Sequence, residues 1–205
     1  MPQVAKDSPL SWALKQGISV ASCIAIVLVA RTSLADHYVV PTGSMLPTIA
    51  LDDRIVVDKR AYGIRNPFAE GYLVPLSDPK PGDVVILGIA DEPKTLIKRV
   101  VAGPGMVVSV RNGQLTISGR KAPIVRDAFG EHELLGGKDH LIRRIPAGGP
   151  DFGPVTLPDG EFLVMGDNRG SSKDGRFFGF IKRDAIRGRA VGVWLRHGAI
   201  GWHPL

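Results

Sequence analysis

Met106-Val107-Val108-Ser109-Val110-Arg111-Asn112-Gly113-Gln114-Leu115-Thr116-Ile117 decides the fold class. Two strand-like runs flank Asn-Gly, a pair suited to a two-residue type I′ turn because both of its residues take positive φ. The stretch reads as a β-hairpin. The same signature recurs outward from it. Asp83-Val84-Val85-Ile86-Leu87 follows a Pro81-Gly82 turn, and Thr95-Leu96-Ile97-Lys98-Arg99-Val100-Val101 ends at Gly103-Pro104-Gly105. Tyr38-Val39-Val40, Arg54-Ile55-Val56-Val57, Glu161-Phe162-Leu163-Val164-Met165 and Ala190-Val191-Gly192-Val193-Trp194-Leu195 extend the set. No segment after residue 36 shows sustained helical periodicity, so the chain is predicted to be mainly β. Residues 118–159 are rich in glycine, proline and charge and hold few strong elements. They read as an insertion, and residues 60–79 as a long excursion.

A chain of 205 residues suggests one domain, or one with a small appendage. The part after residue 36 is long enough to bury a core. Gly 25 and Pro 16, without a repeating period, suit a turn-rich β protein. Cys23 is alone, so no intramolecular disulfide forms. The net charge of +6 is scattered through pairs such as Lys59-Arg60, Lys98-Arg99, Arg143-Arg144 and Lys182-Arg183. There is no zinc-finger or RNA-binding signature, so a solvated basic face is expected and no nucleic-acid partner. No metal or cofactor is expected.

Gln16 to Ala30 is the one long apolar run, bounded by Lys15 and Arg31. It is short for a span needing roughly 20 residues, but snorkelling by its flanking cations and an interfacial Trp12 would extend it. A cleaved signal peptide fits the same residues. Lys6 and Lys15 form a positive n-region, and Ser33-Leu34-Ala35 resembles a small-x-small cleavage site. Both readings leave the N-terminus cytoplasmic and translocate the rest.

Soon after comes Pro41-Thr42-Gly43-Ser44-Met45-Leu46-Pro47-Thr48. Its prolines and glycine hold it out of helix. Ser44 is a weak nucleophile unless a base stands beside it. His37, His132, His140, His197 and His203 lack settings that suggest catalysis and read as solvated. Lys98 interrupts an apolar strand whose alternation sends Lys98 and Arg99 to opposite faces. Desolvation lowers the pKa of a buried lysine, and a neutral amine is a competent base. A snorkelling lysine on an edge strand is the alternative. Met165-Gly166-Asp167-Asn168-Arg169-Gly170-Ser171-Ser172-Lys173-Asp174-Gly175-Arg176 is a turn-rich run in which Asp174 and Arg176 can pair.

Taken together these stretches resemble bacterial type I signal peptidase, the membrane-anchored Ser/Lys protease family. Matching blocks occur in order: Ser44-Met45-Leu46-Pro47-Thr48, Pro81-Gly82-Asp83-Val84-Val85, Lys98 through Gly105, and Gly166-Asp167-Asn168-Arg169 through Ser172, Asp174 and Arg176. The resemblance implies Ser44 as nucleophile and Lys98 as general base. It implies an oxyanion hole from the Ser44 N–H and the Thr42 hydroxyl, Ser172 orienting the lysine amine, and Asp174 and Arg176 bracing the loop. Tyr38, Val40, Met45, Leu96 and Ile97 would bind an extended substrate with a small residue at the cut. Three positions depart from the family pattern: Met106 where aspartate is common, Gly175 where serine is usual, and Thr42 in place of serine.

The resemblance also implies an architecture. A cytoplasmic tail (1–15) and a retained transmembrane anchor (16–35) precede an extracytoplasmic antiparallel β-sheet catalytic domain (36–205) with a small inserted β subdomain at about 106–160. The implied partners are preprotein signal peptides and the lipid bilayer. A family member dedicated to one substrate, such as a conjugation pilin, and an inactive membrane-tethered binding domain are the rival readings. Trp194 and Trp202 suit either a membrane interface or a core.

Overall fold

The computed structural model describes residues 12, 15–23, 35–66, 71–88, 95–144 and 148–205. In chain order its strands are Ala35–Val39 (β1), Arg54–Asp58 (β2), Gly63–Arg65 (β3), Tyr72–Pro75 (β4), Val84–Leu87 (β5), Leu96–Ala102 (β6), Val107–Arg111 (β7), Gln114–Ile117 (β8) and Arg120–Lys121 (β9). Ile124–Arg126 (β10), Glu131–Leu135 (β11), Lys138–Ile142 (β12), Phe152–Thr156 (β13), Glu161–Met165 (β14), Ile181–Lys182 (β15), Ile186–Arg196 (β16) and Ala199–Pro204 (β17) follow. A single-turn helix, Gly175–Phe178, precedes β15.

The main sheet runs β1-β2-β16-β5-β6-β14-β15, with β17 alongside β16. Its strand pairs are antiparallel. Both faces are covered at its centre: Val84 and Ile86 of β5 enter one apolar cluster, and Val85 and Leu87 enter another. That double burial explains the unbroken apolar run at 84–87, since a half-exposed strand would alternate with polar residues.

β6 and β14 are neighbours in this sheet, yet the chain between them builds two further sheets, β13-β7-β8-β9 and β10-β11-β12. The β7–β8 hairpin forms as its sequence predicts. Arg111 pairs with Gln114, and Asn112 and Gly113 have φ of 48° and 72°, both left-handed. The expectation of few elements over 118–159 is corrected, because β9 to β13 lie there. The strands β11 and β12 join at Gly136-Gly137, and their apolar alternation is broken by inward-facing polar side chains. Glu133 and His140 are cross-strand partners, 0% and 6% exposed, and Glu133 pairs with the buried Arg169. His140, expected to be solvated, is instead part of this interior cluster, with Nε2 3.4 Å from Glu133. Within the 60–79 excursion, β3 and β4 form a short hairpin.

At the N-terminal end, Trp12 and residues 15–23 are helical, with Ile18 and Val20 largely exposed. Among the described residues no helix is long and apolar enough to cross a membrane. The predicted span of 16–35 falls mostly on residues 24–34, which lie outside the described residues, as do Lys6 and Ser33-Leu34. Trp194 is half-buried beneath the Arg54 guanidinium, and Trp202 is more than half exposed, packed on Gly192.

β6 lies between β5 and β14 in the sheet order, and although Lys98 falls where only β5 pairs with it, its side chain is buried and does not snorkel to solvent. The adjacent Arg99 is 2% exposed and grips Asp167 through two bonds, Nε to Oδ1 at 2.8 Å and Nη2 to Oδ2 at 2.7 Å. Its Nη1 donates to the Gly82 carbonyl at 2.8 Å. Removing one partner of a buried ion pair strands the other's charge, which costs about 3–5 kcal/mol. Asp167→Asn is therefore expected to lower unfolding free energy by that amount in a denaturant titration. An unchanged midpoint would show that the pair does not hold the loop after β14 to β6.

Candidate active site

The turn carrying Ser44 is one 3₁₀ turn, Gly43–Met45, closed by the Leu46 N–H on the Gly43 carbonyl at 3.2 Å. It is pinned from several sides. Met45 and Ile49 are buried in the apolar cluster of Val40, Ile55, Val84 and Ile97. The Thr48 hydroxyl donates to the Leu141 carbonyl at the end of β12, at 3.0 Å. Arg196 donates to the Thr48 carbonyl at 2.9 Å and to Asp53 at 2.8 Å. Asn168 reaches across from the loop after β14. Its Nδ2 donates to the Gly43 carbonyl at 3.0 Å, and its backbone N–H donates to the Ser44 carbonyl at 3.1 Å. A trans peptide points its C=O and N–H in opposite directions. A grip on the Gly43 carbonyl therefore turns the Ser44 N–H away from Asn168.

Lys98 stands on β6 opposite Val85. On its other flank, β14 pairs with β6 only over residues 99–102, so Lys98 lies just past the last β14 rung. Its side chain is nonetheless buried, at 3% exposure. Nζ donates to Ser44 Oγ at 2.8 Å and to the Ile97 carbonyl at 3.0 Å. Burial pushes the Lys98 pKa down to about 8, with the Asp174 and Asp167 carboxylates opposing the shift. These acids moderate it only partly because Arg176 and Arg99 already pair with them. An amine that is easily neutralised, 2.8 Å from a hydroxyl on a fixed turn, has the reach and basicity to take the hydroxyl proton.

The loop after β14 shapes the floor. Position 166 must be glycine: a Cβ there would lie 2.3 Å from Ser172 Oγ and 2.4 Å from the Ser44 carbonyl oxygen. Asp174 accepts the Gly166 N–H at 3.0 Å, caps the helix Gly175–Phe178, and takes a two-pronged pair from Arg176. Arg176 ties on to the Gly148 and Arg169 carbonyls. At 175 a Cβ would meet Leu163 Cδ1 at 2.6 Å and the Val164 carbonyl at 2.9 Å, so no side chain fits there unless its neighbours shift. Ser172 is buried against Gly166, but its Oγ makes no hydrogen bond, and the bonds of Lys98 Nζ go to Ser44 and Ile97.

Two cavities flank the Ser44 hydroxyl. One, of about 200 Å³, is lined by Val40, Pro41, Thr42, Ser44, Met45, Thr95, Leu96, Ile97 and Lys98. The other, of about 460 Å³, is lined by Thr42, Gly43, Ser44, Leu46, Leu96, Lys98, Asn168, Ser171 and Lys173. Among the residues named from sequence for substrate binding, Val40, Met45, Leu96 and Ile97 line the first cavity, and Tyr38 lines neither. Thr42 sits at the mouth shared by both, its Oγ1 3.4 Å from Ser44 Oγ. Among the described residues β1 pairs only with β2, and residues 96–98 of β6 pair only with β5. The free backbone edge of residues 96–98 thus borders the first cavity, and Val40, just past the end of β1, lines it as well. No group of His, Cys, Asp and Glu side chains among the described residues is arranged to hold a metal ion.

Sequence reasoning missed Asn168, whose role rests on contacts about 125 positions away in the chain. Its place inside Gly-Asp-Asn-Arg was the one available signal. It also missed Arg196 and Leu141, which brace Thr48 from distant strands.

Comparison with known proteins gives the chain's family. The family described as signal peptidase, peptidase S26, matches residues 13–195. Signal peptidase I of Pseudomonas aeruginosa is 34% identical, over 89% of this chain and 72% of that one. Signal peptidase I T of Bacillus subtilis is 32% identical, over 89% and 85%. A crystal structure of a signal peptidase I from Enterococcus faecalis aligns at 25% identity with a TM-score of 0.40, over 56% of this chain and 97% of that one. The chain belongs to the signal peptidase family, peptidase S26.

Proposed function

We propose that the chain is a membrane-anchored serine endopeptidase that removes N-terminal signal peptides from translocated preproteins with a Ser44/Lys98 dyad. The observation that carries this is the 2.8 Å contact between the buried Lys98 amine and the Ser44 hydroxyl, in a chain of the signal peptidase family. The substrate lies extended between β1 and residues 95–98, adding backbone pairs to both free edges. The small residue before the cut fills the 200 Å³ apolar cavity, whose Met45 and Ile97 walls suit an alanine-sized side chain.

With the amine neutral, Nζ takes the hydroxyl proton as Oγ bonds to the scissile carbonyl carbon. The oxyanion forms toward the Ser44 N–H and the Thr42 hydroxyl, fixed donors that stabilise charge as it develops. Collapse breaks the C–N bond, and Lys98 returns the proton to the departing amine. This leaves the signal peptide as an ester on Ser44. Water, deprotonated by Lys98, then attacks the ester and restores the serine. Asp174 and Arg176 keep the loop in place, and Ser172 orients the amine once its Oγ turns toward Nζ.

In this reading residues 1–15 form a cytoplasmic tail and 16–35 an anchor. Residues 36–205 then lie outside the cytoplasm, with 106–160 as an inserted subdomain. The exposed Ile18 and Val20 on a helical segment support the anchor, since apolar side chains left unpacked by the domain suit lipid.

Ser44→Ala and Lys98→Ala are each expected to reduce cleavage of a preprotein in detergent by about 10³-fold or more while circular dichroism stays unchanged. Normal cleavage by folded Lys98→Ala would sink the dyad. The pH profile is the second check. Lys98 acts as a base only when neutral, and below a pKa of about 8 its neutral fraction falls roughly tenfold per pH unit. The rate constant kcat/KM should rise with pH and level off above about 8. A profile flat between pH 6 and about 9 would contradict a lysine base of that pKa.

A further inference from the structure

Asn168 lies between two buried ion pairs. Asp167, before it, is gripped by Arg99 of β6, the strand that carries Lys98. Arg169, after it, is 1% exposed and donates through Nη1 and Nη2 to both carboxylate oxygens of Glu133 on β11. Arg169 Nη1 also donates to the Gly113 carbonyl in the β7–β8 turn at 3.1 Å. Arg143, just past β12, forms a parallel bridge with Asn168, and its N–H donates to the Asp167 carbonyl at 2.8 Å. Both flanking side chains are thus drawn into the interior. The Asn168 carboxamide is left to reach the serine turn, where it holds the Gly43 carbonyl.

Glu133 is fully buried and lines neither cavity beside Ser44, so it does not meet a substrate. Stability alone does not call for a carboxylate there, because a well-packed apolar pair is often as stable as a buried ion pair. What a two-pronged guanidinium–carboxylate pair adds is direction, since it fixes angle as well as distance. That direction is imposed on the residue next to Asn168. Asn168 in turn sets the Gly43–Ser44 peptide, whose N–H faces away from its grip.

We propose that Glu133 is a positioning residue for the cleavage reaction: by holding Arg169 it fixes Asn168, and through Asn168 it aims the Ser44 N–H at the developing oxyanion. This role rests on the signal-peptidase reading. Losing one oxyanion donor outright costs about 10²–10³ in rate. Misaiming it costs less, about ten- to hundredfold in kcat. The aim matters most in the transition state, so KM stays within about twofold.

The test uses the full chain in detergent and a peptide with alanine before the cut. Glu133→Gln, Asn168→Ala and their combination are compared by kcat and KM, with circular dichroism to check the fold. Glu133→Gln leaves the Arg169 charge unpaired and can unfold the chain. Glu133→Leu with Arg169→Met removes both charges and keeps the bulk. Each variant is expected to lose kcat by about ten- to hundredfold with KM little changed. Glu133→Gln should add nothing to Asn168→Ala, because both act through one contact. The carboxylates that act on Lys98 are Asp174 and Asp167, so the pH midpoint of kcat/KM should stay at about 8 in the Leu/Met variant. Wild-type kcat in a folded Glu133 variant or in Asn168→Ala, a combined loss equal to the product of the single losses, or a displaced midpoint overturns the positioning role. Unfolding of both Glu133 variants assigns the pair to stability and overturns it too. The peptidase reading survives all of these while wild type cleaves. Failure of wild type to cleave, or cleavage by Ser44→Ala, overturns both together.

Discussion

Everything at this site depends on keeping one lysine amine out of water. Lys98 is buried where β6 has lost its β14 neighbour, and desolvation pulls its pKa to about 8. A solvated lysine would hold its proton and be useless as a base near neutral pH; a lysine paired directly with a carboxylate would hold it more firmly still. The fold avoids both outcomes. It buries the amine against a strand and binds the nearby Asp167 and Asp174 to arginines of their own. Those two buried pairs therefore have an electrostatic consequence besides a structural one, because they decide how much negative charge the amine feels.

The second requirement of the proposed reaction is a nucleophile that cannot drift. A hydroxyl and an amine on segments 54 residues apart meet at 2.8 Å only if both segments are fixed. β6 is fixed by its sheet. The serine turn, which belongs to no strand, is held by Asn168, by Thr48 on the β12 end, and by Arg196 from β16. The inserted strands thus have a mechanical connection to the chemistry. β11 carries the buried Glu133, which pairs with Arg169, the residue next to Asn168, and β12 sets His140 against Glu133. Removing those strands would free one side of the turn that carries Ser44.

How much of this was legible in the sequence follows from the range of the interactions. The β class was legible because hairpin turns and apolar runs are local, as at Asn112-Gly113 and Val84–Leu87. The Ser44 and Lys98 pairing came from matching motifs. The alternation in β6 allowed a buried lysine, but it allowed an edge strand equally well. The strands β9 to β13 were obscured because they are short and because Glu133 and His140 put polar side chains where an apolar residue was expected. The grip of Asn168 on Gly43 was beyond local reading, since nothing near either residue records the other. Ser172 shows the reverse case. The motif suggested a bond to the lysine, and the serine is nearby and buried, with its hydroxyl unpaired.

The claim at the centre is that Lys98 loses its proton far more readily than an ordinary lysine. Following the side-chain nuclei of Lys98 by NMR across pH, with Lys98→Met to assign the signal, reads this directly. The structure predicts a midpoint near 8. A midpoint near the ordinary lysine value of 10.5 would contradict it, and with it the assignment of Lys98 as the base.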